Sequence, residues 1–557
     1  MKKRLLLVWP SQNGFGIKPI GLAQLSAIVK AAGHPCDLFD STYIDLDDSV
    51  ESERTTNSRL YKPVKDQSYY RAVKKQKLDL KTEYFKKLNE FQPDIIGISA
   101  LSDERHLGFE LSRLSKEWNK NTVVVWGNKL CTMDPEAVLK NESVDYVCRG
   151  EGYNFILEFI KCMENGEDPR SLNNIGYRTN EGKVELKPLS SYYQELDNLP
   201  YLDMDIFDER HFLKVFQGKV YRGAEHMLLH GCPLFCSYCL VDAYRDLYKK
   251  DGEGGKEGKY MRGYSTARIT EELKFLTEKH DIGMWKFYDE EFGSKPMKMF
   301  RDLAESYKKH INLPFCCTAN AWNLGNEKVN LLAKMGCANV SMGFESGSEE
   351  LRTMVLKRKE TREDIINTTS MLKNAGIRTS AYNLIGLPYE TRSTIFQTVE
   401  LNKAAGVQDP SVNFWYPLEG TGLRDIAIEE GFYEPAEYYT SLDYTRPYVT
   451  LPDLSDEEMR ALKKCLHLYI KLPYEFFKYI QRTESGDEFG QKLFAELLDI
   501  HERNVLDNNG LWDENIDIKA EIKALNDLFP ESIEIKEFDF DLLKQNPIGK
   551  SNLRQAS

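Results

Sequence analysis

Three cysteines, Cys232, Cys236 and Cys239, stand in the spacing CxxxCxxC within HGCPLFCSYCLVD (230–242). Thiolates placed this way on one tight loop can each take one iron of a four-iron four-sulfur cubane, leaving the fourth iron without a protein ligand. Such an iron is free to bind a reactant. A structural zinc site is the competing reading, but it needs four protein ligands. No paired CxxC lies elsewhere to complete one, and His230 is the neighbouring candidate for the fourth position. A third reading leaves the thiols buried and unligated. The eleven cysteines of the chain show no regular spacing outside this cluster, so a disulfide framework does not fit. Cys316, Cys317 and Cys337 read as small core hydrophobes.

The elements around the cluster follow from hydrophobic periodicity. RLLLVW (4–9), DLFD (37–40), DIIGIS (94–99), TVVVWG (122–127) and DYVCRGEG (145–152) are apolar strand candidates separated by helical stretches. GLAQLSAIVKAAG (21–33) has helical spacing and a Gly at its end. This alternation predicts an N-terminal doubly wound, Rossmann-like parallel sheet over 1–151. An excursion at about 43–80 is polar and not needed for that sheet's core. A connector over 152–215 holds a small hairpin (175–188). A second alternating series follows in EHMLLHG (225–231), MWKFYD (284–289), PFCCTAN (314–320), NVSMGFE (339–345), TSAYNLIG (379–386) and SVNFWYP (411–417). Six such units predict a partial (β/α)6 barrel over 216–430, open on one side. Residues 431–557 read as a mainly helical region, in which Ser455 caps a helix with Glu457 and Glu458 in its first turn. The fold class is therefore α/β.

With 41% hydrophobic and 29% charged residues the composition is globular, and a length of 557 residues suggests about three domains. A net charge of -13 argues against a broad electrostatic grip on nucleic acid. No segment has the roughly 20 uncharged apolar residues of a membrane span. MKKRLLLVWP reads as a first strand rather than a signal peptide, which predicts a cytoplasmic protein.

The cysteine motif resembles the signature of radical S-adenosylmethionine enzymes. Further segments carry the resemblance in the expected order: YMRGYS (260–265), FYDEEF (287–292), GFESGSE (343–349), NLIGLPYET (383–391) and PLEGTGL (417–423). The resemblance implies that the open iron binds the amino and carboxylate groups of S-adenosylmethionine. One-electron cleavage then gives a 5'-deoxyadenosyl radical that abstracts a hydrogen atom. It also implies that Tyr238 and Gly386 lie near the adenine, Asp289 and Glu290 near the amino group, and Glu345 and Ser346 near the ribose. Asp289 to Glu291 could otherwise form a solvated turn. Arg262 and Ser265 could bind the cosubstrate carboxylate, although Ser265 could equally cap the helix after it.

The N-terminal domain is similar to the cobalamin-binding domain that precedes many of these enzymes, through PIGLAQLSAIVKAAGH (19–34), DIIGIS, VVVWGN (123–128) and VDYVCRGEG (144–152). A ligand of such a sheet lies beyond the C-terminal strand ends, which selects Gly16, Ser99, Gly127, Gly150 and Glu151. No DxHxxG stretch is present, so cobalt would be bound without a histidine from this domain. GNKLC (127–131) departs from the family's usual second Gly and His, leaving open a sheet kept only as scaffold or lid. The two resemblances imply a cobalamin-dependent methyl transfer to an unactivated carbon. Cyclisation, ring contraction or oxidation on the same domains is the alternative, and a metal-stabilised binding protein the remote one. Implied partners are a small-molecule or peptide substrate and an electron donor such as flavodoxin or ferredoxin. The glycine-rich stretch in 246–263 reads as a substrate wall or lid, or equally as a surface insertion.

Overall fold

In the computed structural model, residues 2–12, 16–46, 59–251, 259–435, 446–529 and 535–544 are described. The stretch 252–258 of the candidate lid and residues 47–58 of the excursion at 43–80 lie outside them.

β1 (Leu5–Trp9) is buried along its whole length, as befits a parallel strand covered on both faces. With β2 (Cys36–Asp40), β3 (Ile95–Ser99), β4 (Val123–Gly127) and β5 (Tyr146–Cys148) it forms a parallel sheet in the order β2-β1-β3-β4-β5. The helix Ile20–Ala31 ends as expected, with Gly33 in a left-handed turn. β6 (Ile175–Arg178) and β7 (Val184–Leu186) form the hairpin expected in the connector. It is instead the antiparallel edge of this first sheet, joined through β5.

The second sheet takes up β8 (Leu213–Phe216) and β9 (Lys219–His226). The short β10 (Leu229–His230) and β11 (Arg262–Gly263) make a separate ribbon. Then come β12 (Met284–Phe287), β13 (Phe315–Thr318), β14 (Cys337–Glu345), β15 (Arg378–Ile385) and β16 (Asp409–Phe414). The order is β16-β15-β14-β13-β12-β9-β8, six parallel strands with β8 added antiparallel. The first barrel strand is thus Lys219–His226 and not 225–231. The chain breaks after His226 because Leu229 and His230 pair with Arg262 and Gly263 rather than with the barrel.

Trp285 and Phe287 pack with Leu273, Leu276, Phe300 and Leu303 of the outer helices, so the alternate residues of β12 face the concave side. The helix Asp456–Lys471, capped by Ser455, covers the helix Arg392–Ala404 and β16. Part of the excursion has a role beyond the first sheet. Leu60 is buried in the C-terminal core, the Tyr61 hydroxyl donates to the Pro410 carbonyl at 3.1 Å, and Arg59 pairs with Asp499. No helix among the described residues is long and apolar enough to cross a membrane.

Candidate active site

The cysteine loop is held from several sides. The Gly231 N–H donates to Glu290 Oε2 at 2.8 Å, and the Cys232 N–H to the Tyr260 hydroxyl at 3.4 Å. Ser237 bonds the carbonyls of Leu356 and Val355, and its own carbonyl accepts from Leu423 N–H. Arg245, paired with Asp242, lies 3.8 Å from the Phe235 ring. Gly231 has φ +94°, and a Cβ there would come within 3.0 Å of the Tyr260 carbonyl. Burial pushes the Cys232 and Cys236 thiols up to about 12, so metal loading must displace protons. Among the described residues no three His, Cys, Asp or Glu side chains converge as the ligands of one ion would. His230 packs against Tyr153 and Tyr264, and burial pushes it down to about 4.

The acidic segment after β12 is not a solvated turn. Asp289 is buried, with one oxygen paired to the equally buried Lys295 and the other accepting from Leu228 N–H at 3.0 Å. Both of its oxygens are thus engaged by the protein itself. Glu291 is buried too and accepts from the N–H groups of Gly293 and Asn320; burial pushes it up to about 7. Glu290 is half-buried, and burial raises its carboxyl as well.

Tyr238 and Glu345 are brought together. The Tyr238 hydroxyl donates to Glu345 Oε1 at 2.9 Å and accepts from Arg358 at 2.8 Å, while Arg358 also pairs with Glu360 and donates to the Gly343 carbonyl. Glu345 has φ +60°, a left-handed conformation costly for a residue with a Cβ. Arg358 is the residue that sequence reasoning missed. Its segment, KRKETRED, looks like a solvated charge run. Ser346 is fully buried, its hydroxyl accepting from Ser348 N–H. Gly347 packs on the next helix so closely that a Cβ would lie 1.9 Å from the Gln397 carbonyl oxygen. Ser265 caps its helix through Arg268 N–H, as its alternative reading had it.

Gly386, at φ +81°, donates its N–H to Glu390 Oε2 at 2.6 Å. Glu390 is buried with Oε1 unpartnered, and burial pushes its carboxyl from the usual 4.5 up to about 8. The folded chain therefore binds the extra proton between these values. Glu390's stabilising contribution is complete below about 4.5 and is lost as pH rises through 8. Melting experiments should show stability declining across that window by up to about 1.4 kcal/mol per pH unit from this group. Glu390→Gln should flatten the decline; an unchanged slope refutes the assignment.

A cavity of about 400 Å³ lies between the C-terminal strand ends of the first sheet and the cysteine loop. This is within the usual size range of small-molecule sites. Leu7, Leu25, Ile98, Val125, Phe155 and Ile156 form its apolar interior. Ser99, Gly127, Gly150 and Glu151 line it, as do Gly231 and Glu290 from the barrel side. Gly16 does not: it sits beneath β8, where a Cβ would meet the Leu213 carbonyl at 2.7 Å. The rest of its loop, at 13–15, lies outside the described residues. Gly21 and Gly127 present bare backbone to the cavity, and a methyl group on either would meet no atom within 4 Å, a cradle suited to a bulky cofactor. Asn128 adopts φ +89°, a glycine-like conformation. Glu151 pairs with Arg262 and accepts from Tyr193 N–H, bolting the two domains together beside the cavity.

Residues 227–401 match the model of the Radical SAM superfamily. An uncharacterised methyltransferase of Pyrococcus horikoshii is 24% identical over 390 residues, 69% of this chain and 80% of the relative. The anaerobic magnesium-protoporphyrin IX monomethyl ester cyclase of Rubrivivax gelatinosus is 25% identical, covering 66% of this chain and 64% of that protein. The radical S-adenosylmethionine methyltransferase TsrM of Kitasatospora setae, solved with cobalamin and a [4Fe-4S] cluster, shares the fold. Its TM-score is 0.57 at 18% identity, over 78% of this chain and 80% of that one.

Proposed function

We propose, from the premise that this chain belongs to the radical S-adenosylmethionine superfamily, that it methylates an unactivated carbon of a small-molecule or peptide substrate with cobalamin as methyl carrier. One observation carries this reading: a single cavity is bordered both by the cofactor-side strand ends Ser99, Gly127 and Gly150 and by Gly231, next to Cys232. When bound, the cluster supplies the electron that cleaves the cosubstrate reductively, and cobalamin supplies a methyl group.

The chain's own residues prepare the site. Cys232, Cys236 and Cys239 would hold the cluster through three of its irons. Glu290, tied to Gly231, is the carboxylate left to meet the cosubstrate's amino group, since Asp289 is engaged by Lys295 and Leu228. Arg358 locks Tyr238 and Glu345 into one wall for the nucleoside. The apolar interior keeps water from the radical. Ser99, Gly127, Gly150 and Glu151, which line the cavity, would hold cobalamin. Electrons come from a donor such as flavodoxin or ferredoxin, for which half-exposed Phe235 marks the solvent-facing edge of the loop.

The cyclase relative favours a second reading, in which the same radical rearranges or oxidises its substrate without methylation. Reconstituted protein given methyl-deuterated cosubstrate, a reductant and candidate substrates separates the two. Deuterium in the product, with 5'-deoxyadenosine formed alongside it, is the expected result. Substrate consumed and 5'-deoxyadenosine formed with no label in the product would overturn methylation in favour of the second reading.

A further inference from the structure

The inner surface of a barrel is ordinarily filled with layers of branched apolar side chains. Here the parallel register puts polar groups there instead. Lys286 of β12 stands level with Glu225 of β9 and Cys316 of β13, and Tyr382 of β15 stands level with Ser411 of β16. Cys316, expected in the core, therefore faces the concave side and is half-buried, whereas Cys317 is buried among the outer packing.

Solvent reaches this surface. Lys286 and Tyr382 (40%) are exposed, although their strands are hydrogen-bonded on both sides and their neighbours Trp285, Phe287, Ala381 and Ile385 are buried. An exposed side chain on an interior strand whose other face is covered must open into the concavity. The concave face is thus open to solvent at these two positions.

Its charge is unbalanced. The Glu225 carboxylate is already held by Lys18 and Lys214, and Asp409 by Arg378. Lys286 forms no ion pair among the described residues; its neighbours are Tyr288, whose ring is 4.7 Å away, Tyr382 and the Glu225 carboxylate that Lys18 and Lys214 already hold. In a chain of net charge -13, Lys214 and Lys286 flank the single Glu225 carboxylate and leave a local positive excess. Hydroxyls surround it: Tyr61 of the excursion reaches this face at Pro410, beside Tyr382 and Ser411.

We infer that Lys286, with the Tyr288 and Tyr382 hydroxyls, anchors an oxyanion of the substrate inside the barrel. The substrate class is then an organic carboxylate, phosphate or phosphonate whose reacting carbon extends toward the strand ends. The inference deepens the proposed function and rests on it.

The test needs no turnover. Full-length protein is acylated with a lysine reagent at constant ionic strength, with or without inorganic phosphate or acetate, and labelling is read by peptide mass spectrometry. Either anion should slow acylation of Lys286 severalfold while leaving Lys183, whose side chain is 79% exposed, unchanged. The anion that protects better separates a phosphoryl from a carboxylate substrate. Phosphate should also broaden its own phosphorus resonance with the native chain and with Lys286→Arg, but not with Lys286→Gln. Equal slowing at both lysines, no slowing at Lys286, or broadening kept by Lys286→Gln would each overturn the inference. Failure of the radical reading would instead appear as absent iron and absent 5'-deoxyadenosine, whatever the anions do.

Discussion

Cys236→Ala is expected to abolish formation of 5'-deoxyadenosine and to leave the anaerobically reconstituted chain without its four irons, while the fold persists. The effect on chemistry is large because three thiolates are the whole protein contribution to the cluster in this reading, and two cannot hold a cubane that keeps one iron open. The effect on folding is small. Cys236 is buried, but its loop is fastened by backbone and by Ser237, Glu290 and Tyr260, none of which the substitution touches. Loss of one buried sulfur should cost within the roughly 0.5–3 kcal/mol usual for single substitutions. Iron content, product chromatography and circular dichroism measure the three quantities separately. A variant that keeps its iron and still cleaves the cosubstrate would remove the cluster from these cysteines.

Lys295→Met should be among the most destabilising substitutions in the barrel, by about 3–5 kcal/mol, because it leaves the Asp289 carboxylate buried beside no cation. Both partners are fully buried, and Asp289 also receives the Leu228 N–H two residues past the end of β9. The damage is therefore expected to reach the cysteine loop, seen as lower iron retention on gentle heating. Adding Asp289→Asn to Lys295→Met removes the orphaned charge, and the pair should recover a substantial part of the loss. Strictly additive losses in thermal unfolding would show that the two groups do not act as a pair.

These residues mark where sequence reading stops. The three cysteines were legible as candidate ligands because a cluster loop is local: they lie within eight residues of one another and their spacing is the signal. Arg358 was not, because its partners Tyr238 and Glu345 lie 120 and 13 positions away and its own segment has the composition of a solvated helix start. Lys295 sits six residues from Asp289, yet nothing in DEEFGSK distinguishes a buried ion pair from a surface turn. Gly16 was misplaced for a related reason. A Gly after the first strand suits a ligand loop, but here it accommodates the backbone of β8, which begins at Leu213.

The sequence by itself determined the cysteine set, the two alternating series and the helical C-terminus, since thiol spacing and hydrophobic period are properties of short windows. Only the tertiary structure decided that the hairpin at 175–188 closes the first sheet, that Tyr61 crosses to the barrel, and that strand ends from two domains share one cavity. It also decided that Asp289 is buried and paired with Lys295 rather than part of a solvated turn, and that Lys286 is exposed on an interior strand. Each of these is set by which distant surfaces pack together, and a side chain's burial, partner and charge state follow from that packing, not from its neighbours in the chain.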